Sequence, residues 1–398
     1  MEMVANQSAA SPSILGLSVF GDPFDPRSWS GSARSLFAGL QAHHHLVGAY
    51  SVDLTRRQKL VSAVRHPSAN RRRLYLNVMK NRLSFRFRSA NANQVLQRPQ
   101  PHYNTVLQLS ALFRPRLPAG TLHCSYHDGN TAVSRRSEFT YVKASSSVLG
   151  ESWENERQFY PGVDLVFTMS EWVRESMISD FHVRPENVIA VGAGPNLSYI
   201  GDLENARGGR PDTGTILFVG VDFEGKGGPT LLRAFRRVRL ALPAARLRIV
   251  GCSPPLSEPG VEVVGALSKS DPRQEARLRA LYEEAAIFAL PTQFDCFGIA
   301  FVEAMYHGLP CLGSSICAVP EIVRDGETGF TLPPADADAW ADKMILLLRE
   351  PARARALGAA GFRQARQRYS WELVTSRMVS AMSAKLEQRA AAVSAGRV

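Results

Sequence analysis

Cysteine, long apolar runs and metal-ligand spacings are scarce in this sequence. Its 398 residues include five scattered cysteines and no C-x-x-C pair of the kind that zinc and redox sites use. We therefore expect a reducing compartment and no metal. The apolar run from Ile14 to Phe20 is far shorter than the ~20 residues that span a bilayer, and no basic segment precedes it as in a signal peptide. We expect a cytoplasmic protein.

Acidic residues are missing from one long stretch. Between Asp53 and Asp128 the sequence has fourteen Lys or Arg residues and no carboxylate, while the net charge of the whole chain is +11. This basic region, residues 54–127, can attract nucleic acid, anionic lipid headgroups or a phosphorylated acceptor through the same long-range field. A solvated arginine-rich surface is the plain alternative. No recognised nucleic-acid module is visible, so we expect no nucleic acid. We favour docking on an anionic inner membrane leaflet or on a pyrophosphate-linked lipid.

The length predicts two domains, since a single core rarely grows beyond ~250–300 residues. Strands alternate with amphipathic helices, which is typical of α/β folds with parallel sheets. We predict a Rossmann-like domain at 1–200, a polar, glycine-rich linker at 201–214, a second Rossmann-like domain at 215–370 and a terminal helix at 371–398. Apolar runs predict strands at Ile14 to Phe20, Leu46 to Val52, Thr121 to Tyr126, Asp164 to Met169, Asn187 to Val191, Thr215 to Gly220, Leu247 to Gly251, Val261 to Gly265 and Ala286 to Pro291.

The strongest local signal is PTQFDCFGIAFVEAMYHGLP, residues 291–310, where a strand ends in a polar loop and Gly298 opens a helix. Ligands bind at the carboxyl ends of parallel strands, and a helix N-terminus attracts phosphate. Asp295 and Glu303 place two carboxylates at one end of such a ligand, where they would accept hydrogen bonds from sugar hydroxyls. The alternative is that Asp295 caps the helix and Glu303 is solvated.

A second signal is GVDFEGKGG, residues 220–228, directly after a strand. It nearly matches a P-loop, but Gly227 stands where a Walker motif needs a hydroxyl for magnesium, which argues against an NTPase. Lys226 at the helix start can neutralise a diphosphate leaving group without a metal. The D-x-D formed by Asp336 and Asp338 is interpreted as helix-capping acids rather than metal ligands.

The order and spacing of ILFVGVDFEGKGG, LRIVG, ALPTQFDCFGIAFVEAMYHGLP, VPEIVRDGETGF and YSW resemble glycosyltransferase family 4 from Thr215 to Trp371. The resemblance implies the GT-B fold, two Rossmann-like domains facing across a cleft, and leaves open that the terminal helix crosses back to the N-terminal domain. It implies a retaining enzyme that uses a nucleotide diphospho-sugar as co-substrate, with no cofactor and no bound metal. It also implies that Asp295 meets the donor sugar, Glu303 the ribose and Lys226 the diphosphate.

The N-terminal half resembles the family more loosely, in WSGSARSLFAGL, SYHDGN and DLVFTMSEWVRESM. By this resemblance the domain at 1–200 binds the acceptor. Gly31 approaches the donor phosphates, and His127 lies at the reacting centre, where it orients and polarises the donor sugar. The catalytic residues implied are His127, Asp295 and Lys226. The donor-binding residues implied are Gly31, Lys226, Phe297, Gly298, Ile299 and Glu303.

The resulting expectation is transfer of a hexose-type sugar to a glycan, lipid-linked or small-molecule acceptor, in polysaccharide or glycolipid biosynthesis. A nucleotide-sugar epimerase, a sugar phosphorylase and a basic nucleic-acid-binding protein are the alternatives. Three positions depart from the family pattern: Val221 replaces the usual Arg, Gly225 replaces a frequent basic residue, and Asp295 replaces the usual Glu. We therefore expect the diphosphate affinity to depend heavily on Lys226 and on backbone amides.

Overall fold

The structure is a computed structural model that describes residues 11–136, 143–197 and 214–394. The chain divides into two compact units. Among the described residues, the first unit comprises 11–136, 143–192 and 371–394, and the second comprises 193–197 and 214–370. The terminal helix is thus part of the first unit. Residues 201–213 of the predicted linker lie outside the described residues.

A parallel six-stranded sheet forms the centre of the first unit. Its strands are β1 (Ile14–Ser18), β2 (Leu46–Ser51), β3 (Thr105–Leu109), β4 (Leu122–His127), β5 (Leu165–Thr168) and β6 (Val188–Ala190). Their spatial order is β2-β1-β3-β4-β5-β6. Every residue of β1, β3 and β4 is buried, as expected of a parallel sheet that is covered on both faces.

The apolar runs predict five of these six strands and miss β3. Its polar residue, Gln108, is fully buried, which an apolar pattern does not anticipate. The Gln108 amide donates to the main-chain oxygen of Ser110 at 2.7 Å, and its carbonyl oxygen lies 2.9 Å from the Nε2 atom of His123 on β4. These hydrogen bonds offset the cost of placing an amide in the core.

Helices cover the first sheet. They are α1 (Ser32–Ala42), α2 (Arg56–Arg65), α3 (Arg71–Lys80), α4 (Arg82–Leu96), α5 (Thr131–Arg136), α6 (Ser146–Phe159), α7 (Glu171–Phe181) and, from the end of the chain, α14 (Trp371–Ser394). Helix α14 packs on α1 at Gly39, where an added Cβ atom would lie 2.9 Å from the Thr375 side chain. A small residue at this position allows the two helices to approach closely.

The second unit contains another parallel sheet of six strands. Its strands are β7 (Thr215–Val219), β8 (Arg246–Val250), β9 (Val261–Gly265), β10 (Ile287–Leu290), β11 (Cys311–Ser314) and β12 (Gly329–Leu332). Their order is β12-β11-β10-β7-β8-β9, the order of dinucleotide-binding α/β domains. The apolar runs predict the first four and miss β11 and β12. The predicted α/β fold class, with two parallel sheets, is confirmed.

The helices of the second unit begin with α8. They are α8 (Gly228–Ala241), α9 (Pro272–Glu284), α10 (Ile299–Tyr306), α11 (Val319–Ile322), α12 (Ala337–Arg349) and α13 (Pro351–Arg368). Helix α8 buries Leu231, Phe235 and Val238 on one face, as the four-residue and three-residue spacings predict. Its exposed Arg236 pairs with Glu258 at 2.5 Å. The charge of this helix is therefore solvated and balanced.

Candidate active site

Two of the predicted site residues meet where the strand order of the second sheet reverses, between β7 and β10. Open α/β sheets bind ligands at the carboxyl ends of the strands at this point. Lys226 lies in the loop after β7, and Asp295 lies in the loop after β10. Their charged atoms, Nζ and Oδ2, are 2.5 Å apart, and both side chains are partly exposed. An ammonium group and a carboxylate group thus form a solvent-accessible ion pair at the carboxyl ends of these two strands.

The two loops that carry this pair are held together by backbone contacts. Gly227 has φ +75°, and a Cβ atom there would lie 1.8 Å from the main-chain oxygen of Pro291. No side chain fits at this position. The main-chain N–H of Gln293 also donates to the oxygen of Gly225 at 3.0 Å. The position of Lys226 is therefore fixed by the loop backbone.

Helix α10 begins beside the same loops. Its N-cap residue is Gly298, which has φ +95° and makes no side-chain cap. The interpretation of Asp295 as the helix cap is therefore wrong. Ile299 is the first helical residue, and Phe297 is buried against Tyr369, with ring centroids 5.8 Å apart. The helix start offers backbone N–H groups and partial positive charge to an anion.

Glu303 lies one turn into α10 and is 2 % exposed, so its interpretation as a solvated residue is wrong. One carboxylate oxygen accepts hydrogen bonds from the Lys269 ammonium and, at 3.1 Å, from the main-chain N–H of Asn196. The other accepts from the Tyr282 hydroxyl at 3.2 Å. A buried carboxylate needs such partners to stay ionised.

Sequence reasoning missed Lys269, Tyr282 and Asn196. Lys269 follows β9, whose carboxyl end lies at the same edge of the sheet as those of β7 and β10. The position of Lys269 after a strand of a parallel sheet could therefore have indicated that it lies near the candidate site. Tyr282 and Asn196 reach Glu303 through tertiary packing, for which the sequence pattern gave no sign.

The structure shows the local environment of two positions that depart from the family pattern, Val221 and Gly225. Val221 is 84 % exposed, so no side chain at that position reaches into the core. Asp222 accepts a hydrogen bond from the main-chain N–H of Gly225 at 3.1 Å. A Cβ atom at Gly225 would lie 2.4 Å from the Asp222 carboxylate. A side chain at Gly225 would therefore require the Asp222 carboxylate to move.

The loop between β1 and α1 of the first unit has an unusual backbone. Trp29 (φ +49°), Ser30 (φ +57°) and Gly31 (φ +98°) all have positive φ, a conformation that costs free energy in non-glycine residues. The Trp29 indole N–H donates to Asp128 at 3.1 Å, and its ring stacks on Phe20 at 5.0 Å. The hydrogen bond to Asp128 ties the Gly31 loop to the loop that follows β4, and the stacking on Phe20 packs the Gly31 loop on itself.

His127 is the last residue of β4 and is 1 % exposed. Its Nε2 atom lies 2.9 Å from the Ser125 hydroxyl, and its ring lies against Tyr160 at 5.7 Å. Burial lowers the pKa of His127 to about 3, because the charged form is poorly solvated in the core. His127 is therefore a neutral imidazole at physiological pH.

The predicted residues thus fall into two groups. Lys226, Asp295, Phe297, Gly298, Ile299 and Glu303 lie in the second unit, around the start of α10. Gly31 and His127 lie in the first unit, Gly31 in the loop between β1 and α1 and His127 at the carboxyl end of β4. Of the D-x-D acids, Asp336 caps α12 by accepting from the Ala339 N–H at 3.0 Å, and Asp338 pairs with Arg237.

All but one of the fourteen Lys and Arg residues in the basic region 54–127 are at least partly exposed. Strands β3 and β4 lie in the buried sheet, and Arg88 is fully buried 3.5 Å from Asp53. Helix α2, which belongs to this region, differs from an ordinary amphipathic helix because its large apolar residues face outward. Leu60, Val61 and Val64 are 66 %, 50 % and 72 % exposed.

The second unit matches a known family. The model described as "Glycosyl transferases group 1" matches residues 213–350, which contain Lys226, Asp295 and Glu303. These residues form a glycosyl transferases group 1 domain. The resemblance to glycosyltransferase family 4 that the motifs indicate is thereby confirmed for the group 1 domain.

Curated proteins with similar sequences are glycosyltransferases. A D-inositol 3-phosphate glycosyltransferase of Corynebacterium aurimucosum is 29 % identical over 245 residues, 56 % of this chain and 57 % of that protein. An MMP alpha-(1->4)-mannosyltransferase of Mycolicibacterium hassiacum is 29 % identical over 222 residues, 54 % and 53 % of the two chains. In both alignments the chain spans a little over half the length of its relative, and the aligned stretch is long enough to hold the whole group 1 domain.

Solved structures resemble the chain over nearly its whole length. Sucrose-phosphate synthase from Thermosynechococcus elongatus matches with a TM-score of 0.64 and 18 % identity, covering 96 % of this chain and 100 % of that one. The Anabaena protein HepE, solved with UDP and glucose, matches with a TM-score of 0.63 and 14 % identity, covering 94 % and 99 %. The fold of the group 1 domain and of the first unit is therefore that of GT-B glycosyltransferases. Within the described residues, no helix has the length and apolar character of a membrane span.

Proposed function

We propose that this chain is a retaining glycosyltransferase that moves a hexose-type sugar from a nucleotide diphospho-sugar to a glycan, lipid-linked or small-molecule acceptor, in polysaccharide or glycolipid biosynthesis. The observation that carries the proposal is the Lys226–Asp295 pair at the strand-order reversal, beside the start of α10. Glycosyltransferase relatives and the HepE structure with UDP and glucose support the same reading.

The donor would bind with its diphosphate between the Lys226 ammonium and the N–H groups at Gly298 and Ile299. Positive charge at this position stabilises the negative charge that grows on the leaving diphosphate. Asp295 would accept hydrogen bonds from the sugar hydroxyls. Glu303 would hold the ribose, with its carboxylate positioned by the Lys269 ammonium. These groups need no bound metal, and we propose that the reaction uses none.

Transfer would form the bond between the acceptor oxygen and the anomeric carbon on the face from which the diphosphate departs. The acceptor proton would pass to the leaving phosphate oxygen, so that no covalent intermediate on the protein is needed. His127 would contribute as a neutral hydrogen-bonding group that orients the sugar, and Gly31 would allow the backbone to approach the phosphates. Correct positioning of donor and acceptor would supply much of the rate.

A thermal-shift panel of UDP-glucose, UDP-N-acetylglucosamine and GDP-mannose tests the donor site. A ligand that binds the native state raises the unfolding midpoint by mass action. We expect at least one donor to raise it in the wild-type protein, and Lys226→Ala to remove most of that shift. A shift that survives unchanged in Lys226→Ala would contradict the assignment.

Product analysis separates transfer from its alternatives. With the donor that the panel identifies, NMR of the product should show a new glycosidic bond with the donor's anomeric configuration, in the presence and absence of EDTA. Epimerised sugar from donor alone would indicate an epimerase. Sugar 1-phosphate formed with inorganic phosphate would indicate a phosphorylase.

We also propose that the protein is cytoplasmic and docks on an anionic membrane surface through α2. The outward Leu60, Val61 and Val64 lie on a helix that also carries Arg56, Arg57, Lys59 and Arg65. Apolar and basic residues together are what interfacial helices use to bind anionic lipid.

Co-sedimentation with vesicles tests this docking. We expect the wild type to bind vesicles with 30 % phosphatidylglycerol more tightly than pure phosphatidylcholine, and the triple change of Leu60, Val61 and Val64 to Ser to weaken binding about tenfold or more. Leu240→Ser is the matched control, since Leu240 is an 86 % exposed leucine on α8 of the other unit. Equal binding to both lipids would refute the docking proposal and leave the donor site unaffected.

A further inference from the structure

A polar cavity of about 370 Å³ lies at the amino-terminal edge of the first sheet. Its walls come from Thr121 before β4, Asp164 before β5, Asn187 before β6 and Arg389 on α14. His127 ends β4 at the opposite edge, and the strand between them spans roughly 16 Å. Within the first unit, the cavity is therefore separate from His127, at the other end of β4.

Arginine dominates the lining of this cavity. Arg114, Arg184 and Arg389 contribute three guanidinium groups, against the single lining carboxylate of Asp164. One oxygen of Asp164 accepts from Arg389, and the other accepts from the main-chain N–H of His123 at 2.8 Å. Because both oxygens serve protein donors, Asp164 neutralises Arg389 and leaves the other two guanidinium charges facing the cavity.

Arg114 is held in place by backbone groups. Its Nη1 atom donates to the main-chain oxygen of Gln158 at 3.1 Å. A Cβ atom at Gly162 would lie 3.1 Å from Arg114 Nη2, so the absence of a side chain there lets the guanidinium lie close to the backbone. A guanidinium has five N–H donors, and this hydrogen bond uses one of them. The others remain available for an oxyanion.

Arg184 has an acidic neighbour, but the pairing is weak. Glu186 lies 3.6 Å away, and both side chains are about two-thirds exposed. Ion pairs between exposed side chains contribute little to stability, so Arg184 can exchange this partner for a ligand at little cost. Lys385 adds positive charge near the cavity, since its ammonium donates to the Asn187 side chain at 3.0 Å.

The buried wall of the cavity is neutral and fixed. His123 is 6 % exposed, and its ring nitrogens lie 3.0 Å from the Gly162 oxygen and 2.9 Å from the Gln108 oxygen. Burial lowers the pKa of His123 to about 4, so the imidazole is uncharged at neutral pH. The anion-binding charge therefore comes from the arginines.

We propose that this cavity binds the phosphate group of a phosphate monoester, held between Arg114 and Arg184. Planar guanidinium groups make paired hydrogen bonds to phosphate oxygens, and the volume lies within the ~300–1,000 Å³ range of small-molecule sites. A soluble metabolite and a lipid headgroup present the same group. Since Arg389 is on α14, the ligand would bind where the terminal helix is fastened to the sheet.

Titration calorimetry with glycerol 3-phosphate tests the site in the full chain. We expect Arg114→Gln and Arg184→Gln each to weaken binding about tenfold or more, because each loses a charge-assisted hydrogen bond. Arg116→Gln, which changes an exposed arginine outside the cavity, and Lys226→Ala, which changes the donor site, should leave the affinity unaltered. Unchanged binding in both cavity variants, or loss only in Lys226→Ala, would overturn the proposal.

Arginine modification gives a local readout that does not depend on the variants folding. In the wild-type protein, glycerol 3-phosphate should protect Arg114 and Arg184 from phenylglyoxal more than Arg116, as mapped by mass spectrometry. A parallel titration with phosphatidic acid vesicles distinguishes the sources: protection by vesicles alone identifies a lipid headgroup, and protection by the free ester identifies a soluble ligand. Equal modification of all three arginines under both conditions would refute the site.

Discussion

The two units place their candidate functional groups in opposite electrostatic settings. In the second unit, Asp295 and Glu303 each contact a lysine, and these charges lie at the edge of the sheet. In the first unit, His127 is buried and uncharged. From this difference we expect the second unit to supply the charged side chains that bind a diphosphate. The first unit would contribute uncharged groups, the His127 imidazole and the backbone at Gly31. The predictions below test this division between the units.

The largest effect should follow loss of the Lys226 ammonium. We expect Lys226→Ala to lower the transfer rate about 100-fold to 1,000-fold, the usual cost of losing one group that stabilises transition-state charge. The measurement is kcat/KM with the donor found by thermal shift. Lys343→Ala is the control, because Lys343 lies over the Phe330 ring at 4.3 Å and should change the rate little. Near-normal transfer by Lys226→Ala would remove the diphosphate role of the second unit.

Acid should destabilise the first unit through its buried histidines. The pKa values of His127 and His123 fall from 6.5 to about 3 and about 4 on folding. Below pH 6.5 the unfolded chain therefore binds protons that the folded unit does not, and stability is lost as the pH falls. We expect a loss of about 1–2 kcal/mol per histidine between pH 7 and pH 5. Glu156, whose pKa burial raises, acts in the opposite direction.

Hydrogen exchange resolved by peptide checks this prediction unit by unit. Amides of β4 and β5 should lose protection between pH 7 and pH 5, after correction for the intrinsic pH dependence of exchange. Peptides from β7 and β8 of the second unit serve as the internal reference. Constant protection of β4 over this range would show that its histidines do not govern the stability of the unit.

Removing the buried charge of Glu303 should have a smaller effect than removing Lys226. Glu303→Gln keeps the shape of the side chain but leaves the Lys269 ammonium beside a neutral amide. We expect donor affinity to fall about tenfold, the cost of one charge-assisted hydrogen bond. Glu284→Gln is the control, since Glu284 is a 42 % exposed acid that pairs with Arg248. Donor affinity equal to that of the wild type would contradict the ribose-binding role of Glu303.

The contrast between the two units also explains how much of the fold and of the candidate site can be predicted from the sequence. In the second unit, the candidate residues follow strand ends in recognisable order, so Lys226, Asp295 and Glu303 are predicted from spacing and resemblance. The sequence does not predict β3, because the buried Gln108 interrupts its apolar pattern. It also does not predict that Lys269 contacts Glu303, since that contact depends on which strands are neighbours. Local sequence patterns thus predict most strands and loops, whereas polar contacts between residues that are distant in the sequence can be identified only from the tertiary structure.

The smallest predicted effect concerns the strained loop of the first unit. Trp29 has φ +49° and donates its indole N–H to Asp128 at 3.1 Å, and we expect this hydrogen bond to help hold the Gly31 loop. Trp29→Phe keeps an aromatic ring but removes the donor, so the free energy of unfolding should fall by about 1 kcal/mol. The matched change is Asp128→Asn, which removes the charge of the acceptor.

A double-mutant cycle over Trp29 and Asp128 separates this hydrogen bond from other effects of each change. If the bond acts as proposed, the two changes together should cost less than the sum of their separate costs, with a coupling of about 0.5–1 kcal/mol. The transfer rate should show the same coupling if the loop positions substrate. Strict additivity in both measurements would mean that the positive φ values of this loop are maintained by other contacts, with Phe20 stacking on Trp29 the first to test.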